Sequence, residues 1–303
     1  MTFLLSDEVA MAIAAGRAVV GLETSVIGQG LPFPRNLECV ERMEAAIRGT
    51  GATPGWVGLV DGAVRVGLER AELARFAEPG AAVKVARRDV PVAVASGSLG
   101  ATTVSATIWA AHRAGIGVAV TGGIGGVHPG PRRDASADLL ELGRTPIVLI
   151  ASGPKSIVDP AATAERLEEL GVALVGYGVD RLPFFLAREA PVELEHRVET
   201  PEGAAAIARA HRALGAQAAI VLCNPIAPEH ALDPDVLRAA TARAEARMEE
   251  AGVAGKAVTP FLLRALAEET DGSSLEANLV LLEDNARLAA EVALAISAAT
   301  SGR

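Results

Sequence analysis

The residues with the most chemical potential in this chain fall between Thr121 and Lys155. Glycines at 122, 123, 125 and 126 lead to His128, two aspartates at 134 and 138 flank Ser136, and a lysine sits in Ser152-Gly153-Pro154-Lys155-Ser156. Glycines permit a tight turn or close approach of a ligand, carboxylates four apart can hold a cation or hydroxyls, and a lysine in a turn can act as an amine nucleophile. Glu23, followed by Thr24 and Ser25, supplies a candidate acid. Apolar runs at 18–22, 116–120 and 147–150 precede these groups. They predict strands whose carboxyl ends deliver Glu23, Thr121 and Lys155 to the edge where open α/β sheets bind ligands.

Each residue also has a plainer explanation. A lysine in a turn is usually solvated, and it attacks a carbonyl carbon only when neutral. An ordinary lysine, with a pKa of about 10.4, is almost wholly protonated at pH 7, so burial or a nearby cation has to favour the neutral amine. Asp134, Ser136 and Asp138 are good residues for the start of any helix, while one carboxylate with bound waters suits Mg²⁺ or Mn²⁺. His128 reads first as a structural hydrogen-bond donor. The segment 84–89 is a basic island in an acidic chain; it is either a surface charge run or, through Lys84, a place for a phosphate. The glycines do not complete a dinucleotide fingerprint because His128 stands at the third glycine position. Lys155 follows Pro154, which excludes a P-loop.

These residues need a scaffold, and the composition provides for one. The chain has 303 residues, half of them hydrophobic, with 3% aromatics and a net charge of −9. An acidic chain argues against nucleic acid or an anionic membrane as a partner, and leaves a small anionic substrate open through a local basic pocket. Cys39 and Cys223 are too few and too distant for a disulfide framework or a four-cysteine zinc site, which fits a cytoplasmic protein. The uncharged stretch 90–111 is long enough to span a bilayer, but Pro91 and the Ser96-Gly97-Ser98 turn interrupt it. It is predicted to be a buried strand, a turn and a helix.

A helix capped by Ser6 precedes the strand at 18–22, which is predicted to be the first of the core, and a loop at 28–34 leads to a helix at 36–48. Asp61-Gly62 between the apolar runs 56–60 and 63–66 marks a hairpin. Further strands are predicted at 82–85, 92–95, 117–120, 147–150, 173–175 and 218–222. Helices are predicted at 102–113, 136–142, 161–170, 202–214, 234–250, 260–269 and 275–297. This alternation specifies the α/β class: one α/β/α layered domain on a mixed, largely parallel central sheet.

Together, the blocks Glu23-Thr24-Ser25-Val26-Ile27-Gly28-Gln29-Gly30-Leu31-Pro32, residues 121–128, Asp134-Ala135-Ser136-Ala137-Asp138, Gly153-Pro154-Lys155-Ser156 and Glu276-Ala277-Asn278 resemble the pseudouridine-5′-phosphate glycosidases, a family that includes indigoidine synthase A-like proteins. The match covers nearly the whole chain. The resemblance implies reversible cleavage of the C–C glycosidic bond of pseudouridine 5′-phosphate to uracil and ribose 5-phosphate. It implies Glu23 as proton donor, Lys155 as nucleophile forming a Schiff base with the sugar, and Asp134 as ligand to Mn²⁺ or a similar divalent ion. Lys84, the Val104 backbone, Ser136, Ala137 and Asp138 match substrate-binding positions, with Thr121, His128 and Asn278 at further pocket positions. A homotrimer is implied as well. The stretch 129–133 departs from the family pattern, with proline directly after His128; Arg132 and Arg133 are the arginines available there. Two other possibilities stay open: a Schiff-base lyase or N-glycosidase for another sugar phosphate, and a silent sugar-phosphate-binding protein.

Overall fold

Side chains along the central strands alternate between two apolar clusters, because successive residues of a strand point to opposite faces. Val20, Leu22, Val120, Ile150 and Leu222 join one cluster; Val19, Ala119, Leu149 and Val221 join the other. The computed structural model describes residues 2–129 and 134–301. In chain order its first elements are β1 (Phe3–Leu5), α1 (Asp7–Ala14), β2 (Val19–Glu23), α2 (Arg35–Gly49), β3 (Thr53–Val60), β4 (Ala63–Val66), α3 (Arg70–Ala77), β5 (Val83–Val85) and α4 (Val90–Ser96). There follow β6 (Gly100–Thr102), α5 (Val104–Arg113), β7 (Val118–Val120), α6 (Ala137–Leu142), β8 (Val148–Ala151), α7 (Pro160–Glu169), β9 (Ala173–Tyr177) and β10 (His196–Val198). The chain closes with α8 (Pro201–Ala213), β11 (Ile220–Cys223), α9 (Pro234–Glu250), α10 (Val258–Glu269) and α11 (Ser273–Ser301).

The sheet runs β1-β4-β3-β2-β7-β8-β11-β9-β10, with β5 and β6 branching from β3. All pairings are parallel except those of β3 with β4 and β6. Helices α2, α8 and α11 cover one face through Met43, Ile47, Ala204 and Leu281, and α1, α5, α6 and α7 cover the other through Val9, Ile108, Leu142 and Leu167. This is the expected α/β class with a mixed, mostly parallel sheet between helical layers. The chain goes outward in one direction from β2 and in the other from β7, so these two adjacent strands form the topological switch point. A crevice opens at their carboxyl ends.

Local chemistry explains several boundaries. Ser6 caps α1 by accepting from the Val9 N–H at 3.3 Å, a contact worth about 1 kcal/mol. The hairpin of β3 and β4 turns at Asp61 and Gly62, which have φ of 49° and 77°, as the favoured two-residue turn requires.

Several expectations are corrected. Residues 92–95 form the helix α4 and not a strand, and the short strand of the 90–111 stretch, β6, comes after the turn. Valines at 90, 92 and 94 imitate strand alternation, but Pro91 fits a first helical turn and Gly97, at φ 66°, ends the helix in the left-handed region. Val92 is left exposed while Val90 and Ala93 are buried. Thr102 ends β6, so α5 starts at Val104. The loop expected at 28–34 begins as a π-helical turn, Val26–Gly30. β1, α3 and β10 were not anticipated, and β1 precedes the strand expected to come first. Cys39 and Cys223 are buried free thiols, each pushed up to about 12 chiefly by burial. Among the described residues no helix is long and apolar enough to cross a membrane.

Candidate active site

A cavity of about 840 Å³ opens at the switch point, within the usual range for small-molecule sites. Glu23, the last residue of β2, is only 6% exposed and lines it. Each carboxylate oxygen accepts a hydroxyl: Ser25 Oγ donates to Oε2 at 2.5 Å, and Thr121 Oγ1, just past β7, donates to Oε1. Thr24 turns away and donates to the Val57 carbonyl at 2.7 Å, so it braces β3 and not the acid.

The glycine segment after β7 and the turn after β8 run side by side. Ile124 N–H donates to the Gly153 carbonyl and Lys155 N–H to the Ile124 carbonyl, both at 3.0 Å. Gly153 has φ 73°, and a Cβ there would lie 1.8 Å from the Pro183 carbonyl oxygen; only glycine makes this turn without strain. A Cβ at Gly125 would lie 2.3 Å from Ser136 Oγ. That glycine makes room for protein neighbours at the start of α6. The result of this packing is that the half-buried Lys155 side chain lines the same cavity as Glu23. Among the described residues its ammonium has neither an ion pair nor a hydrogen bond.

Asp138 is buried with both oxygens occupied, one by the Ser105 N–H at 2.9 Å and the other by the Gly125 N–H at 3.1 Å. It ties the start of α5, and so the Val104 backbone, to the glycine segment. Ser136 caps α6 by accepting from the Asp138 N–H at 3.2 Å. Lys84 enters from β5, held below its ordinary value first by burial and then by the positive charge of Lys155. Two cations thus repel each other across the cavity, a favourable setting for an anion. His128 is likewise held below its ordinary value, mainly by burial, and its backbone N–H donates to the Asp134 carbonyl at 2.8 Å. Ala137 and Asn278 line the same cavity, so every expected site residue reaches it. Arg132 and Arg133 lie outside the described residues.

The donor set around Asp134 bears on metal binding. Its exposed carboxylate makes no hydrogen bond or ion pair among the described residues, unlike the hydrogen-bonded carboxylates of Glu23 and Asp138. Among the described residues no three His, Cys, Asp or Glu side chains gather as a cage. One free carboxylate with water as the remaining ligands fits a hard divalent ion and not a soft one.

Sequence reasoning did not find three other contributors. Lys256, from the turn before α10, lines the rim and pairs with Asp89 at 2.8 Å. Arg87 stacks 4.0 Å above the Trp109 ring at the outer end. Asn285, fully buried on α11, bonds to the strand-end loops beneath the cavity. Its signal was a second amide in an Ala/Leu-rich helix, seven residues after Asn278.

A buried acid and an amine facing one cavity at the switch point define an α/β protein equipped for covalent and acid–base chemistry. Comparison with known proteins makes the class particular. The family model described as indigoidine synthase A like protein matches residues 8–295. The chain is 47% identical over 295 residues to the pseudouridine-5′-phosphate glycosidase of Herpetosiphon aurantiacus, covering 97% of each chain. It is 44% identical over 306 residues to that of Symbiobacterium thermophilum, covering 98% of this chain and 99% of the other. The solved structure of the prealnumycin C-glycosynthase AlnA in complex with ribulose 5-phosphate matches with a TM-score of 0.90 at 40% identity, over 100% of this chain and 99% of that one. An indigoidine synthase A-like protein from Thermotoga maritima matches with a TM-score of 0.90 at 38% identity, over 98% and 97%. This chain belongs to the indigoidine synthase A-like family, as its motifs led us to expect.

Proposed function

We propose that the protein is a pseudouridine-5′-phosphate glycosidase, reversibly cleaving the C–C bond between uracil C5 and ribose C1′ to yield uracil and ribose 5-phosphate. The observation that carries this is the meeting of Glu23 and Lys155 in one cavity, with Lys84 beside them. A carbon-linked base does not leave by simple protonation of nitrogen, so the electrons of the breaking bond need a sink. Glu23 protonates the ring oxygen O4′, the C1′–O4′ bond opens, and Lys155 Nζ bonds to C1′. The nitrogen lone pair then forms an iminium at C1′ as the C1′–C5 bond breaks, with its electron pair going to C5, which takes a proton. Water adds to the iminium and releases ribose 5-phosphate, restoring the lysine.

Lys84 binds the phosphate as a point charge, with the Val104 backbone, Ser136, Ala137, Asp138, Thr121, His128 and Asn278 shaping the rest of the substrate pocket. Asp134 would hold Mn²⁺, or Mg²⁺ in its place, and such an ion would supply positive charge to order water and polarise the uracil side. The protein acts as a homotrimer in the cytoplasm, which sedimentation and fractionation test. Purified protein incubated with pseudouridine 5′-phosphate and Mn²⁺ should release uracil while uridine 5′-phosphate stays intact. No uracil under any divalent metal contradicts the proposal. A second activity, C-glycoside synthesis, is favoured by the name of the AlnA relative. It uses the same site in reverse, and bond formation from ribose 5-phosphate and an aromatic acceptor other than uracil would reveal it.

A further inference from the structure

We propose that Asn285 is a positioning residue that fixes the acid relative to the amine through one buried amide. The inference rests on the reaction proposed above. Asn285 is 0% exposed and does not line the cavity, so it touches no substrate. Its Nδ2 donates to the Thr121 carbonyl at 2.9 Å and lies 3.4 Å from that of Gly122. Thr121 is the residue whose hydroxyl holds Glu23. On the other side the amide pairs with Ser152 Oγ, at 3.1 Å from Nδ2 and 3.3 Å from Oδ1. Ser152 lies three residues before Lys155, and its N–H donates to the Gly122 carbonyl at 2.8 Å. Oδ1 also accepts from Asn224 Nδ2 at 2.9 Å, just past β11.

One side chain therefore joins the carboxyl ends of three adjacent parallel strands, β7, β8 and β11. An amide offers two donors and two acceptor positions, and all are engaged here. Its nearest neighbours on α11 are apolar, with Leu281, Leu282, Ala286, Leu288 and Ala289 buried around it. Packing alone would favour another leucine there, whereas a fully satisfied polar network specifies one arrangement. Asn278 lies seven residues earlier, about two helical turns, so the register locked by Asn285 also brings Asn278 to the cavity.

Asn285→Ala and the isosteric Asn285→Asp, which loses both amide donors, test this in the full-length protein by uracil release, with Tm measured for each variant. The expected result is a fall in kcat of about 10- to 100-fold, the scale of a small misplacement of reacting groups, with KM changed by less than about threefold. In a double-mutant cycle with Thr121→Val the combined loss should be well below the product of the single losses, because both act through the same carboxylate. Asn224→Ala perturbs the network from its more exposed end and serves if the core variants do not fold; its kcat should fall a few-fold at unchanged KM. Unimpaired kcat in folded variants, losses that multiply, or a change confined to KM overturns the inference. Wild-type protein that releases no uracil overturns the reaction and this inference with it; an active wild type with unimpaired variants overturns the inference alone.

Discussion

Thr121 donates its hydroxyl to the carboxylate of Glu23, two residues 98 positions apart in the chain that the pairing of β2 with β7 makes neighbours. With Ser25 on the other oxygen, this contact fixes the carboxyl group in one orientation towards the cavity. Glu23→Gln keeps the shape and removes the proton to be donated. Uracil release should fall by about 10²- to 10⁴-fold, the usual size of a general-acid contribution, with KM nearly unchanged. Thr121→Val should lower kcat less, since Ser25 still holds one oxygen. Steady-state kinetics on both variants checks this.

Lys84 gives the site a pH dependence of definite sign. Its pKa lies below its ordinary 10.5, first through burial and then through the charge of Lys155, with Asp138 and Glu23 opposing and Lys256 adding to the decrease. Between the depressed value and 10.5 the unfolded chain binds more protons than the folded one, so stability attributable to Lys84 rises with pH across that window. Phosphate binding needs the ammonium, so affinity is full below the depressed value and is lost as pH rises through it, before an ordinary lysine would titrate. Lys84→Met should raise KM for the phosphorylated substrate about 10- to 100-fold, the weight of a charge-assisted hydrogen bond, and abolish this alkaline loss. Calorimetric titration of ribose 5-phosphate against pH measures it.

Gly153 carries the turn that presents Lys155. Gly153→Ala combines a left-handed φ with a Cβ driven into the Pro183 carbonyl. The expected cost is on the order of 3 kcal/mol, seen as a Tm lowered by several degrees. Activity should fall further than the folded fraction does, because any relaxation of this turn moves the amine.

Metal removal should separate binding of the ion from the fold. Chelation is expected to suppress turnover reversibly and to leave Tm almost unchanged, since Asp134 is exposed and its carboxylate makes no hydrogen bond or ion pair among the described residues. Asp134→Ala should raise the Mn²⁺ concentration needed for half-maximal uracil release. Unaltered metal dependence in that variant assigns the ion to other ligands.

Much of the fold could be read from local pattern. The apolar run ending at Glu23 announced a strand that delivers an acid, and Asp61-Gly62 announced a hairpin, because both depend on adjacent residues. Residues 92–95 misled for the converse reason: valine alternation suggests a strand, while the helix is decided by Pro91 and Gly97 at its ends. The glycines of 122–126 were legible as a special loop but not in their purpose, since the atoms that crowd Gly125 belong to Ser136 and Asp138, beyond it in the chain. Asn285 was hardest to see. Its partners are backbone carbonyls and side chains from 61 to 164 positions away, and nothing near it in sequence shows that they converge.

The central claim is that the Lys155 amine bonds to the anomeric carbon of the sugar. Borohydride reduction of the protein during turnover of pseudouridine 5′-phosphate, followed by peptide mass spectrometry, tests it most directly. The predicted result is a stable ribosyl-phosphate adduct on the peptide containing Lys155, absent from Lys155→Ala. An active wild type that yields no adduct, or an adduct that persists in Lys155→Ala, would contradict it.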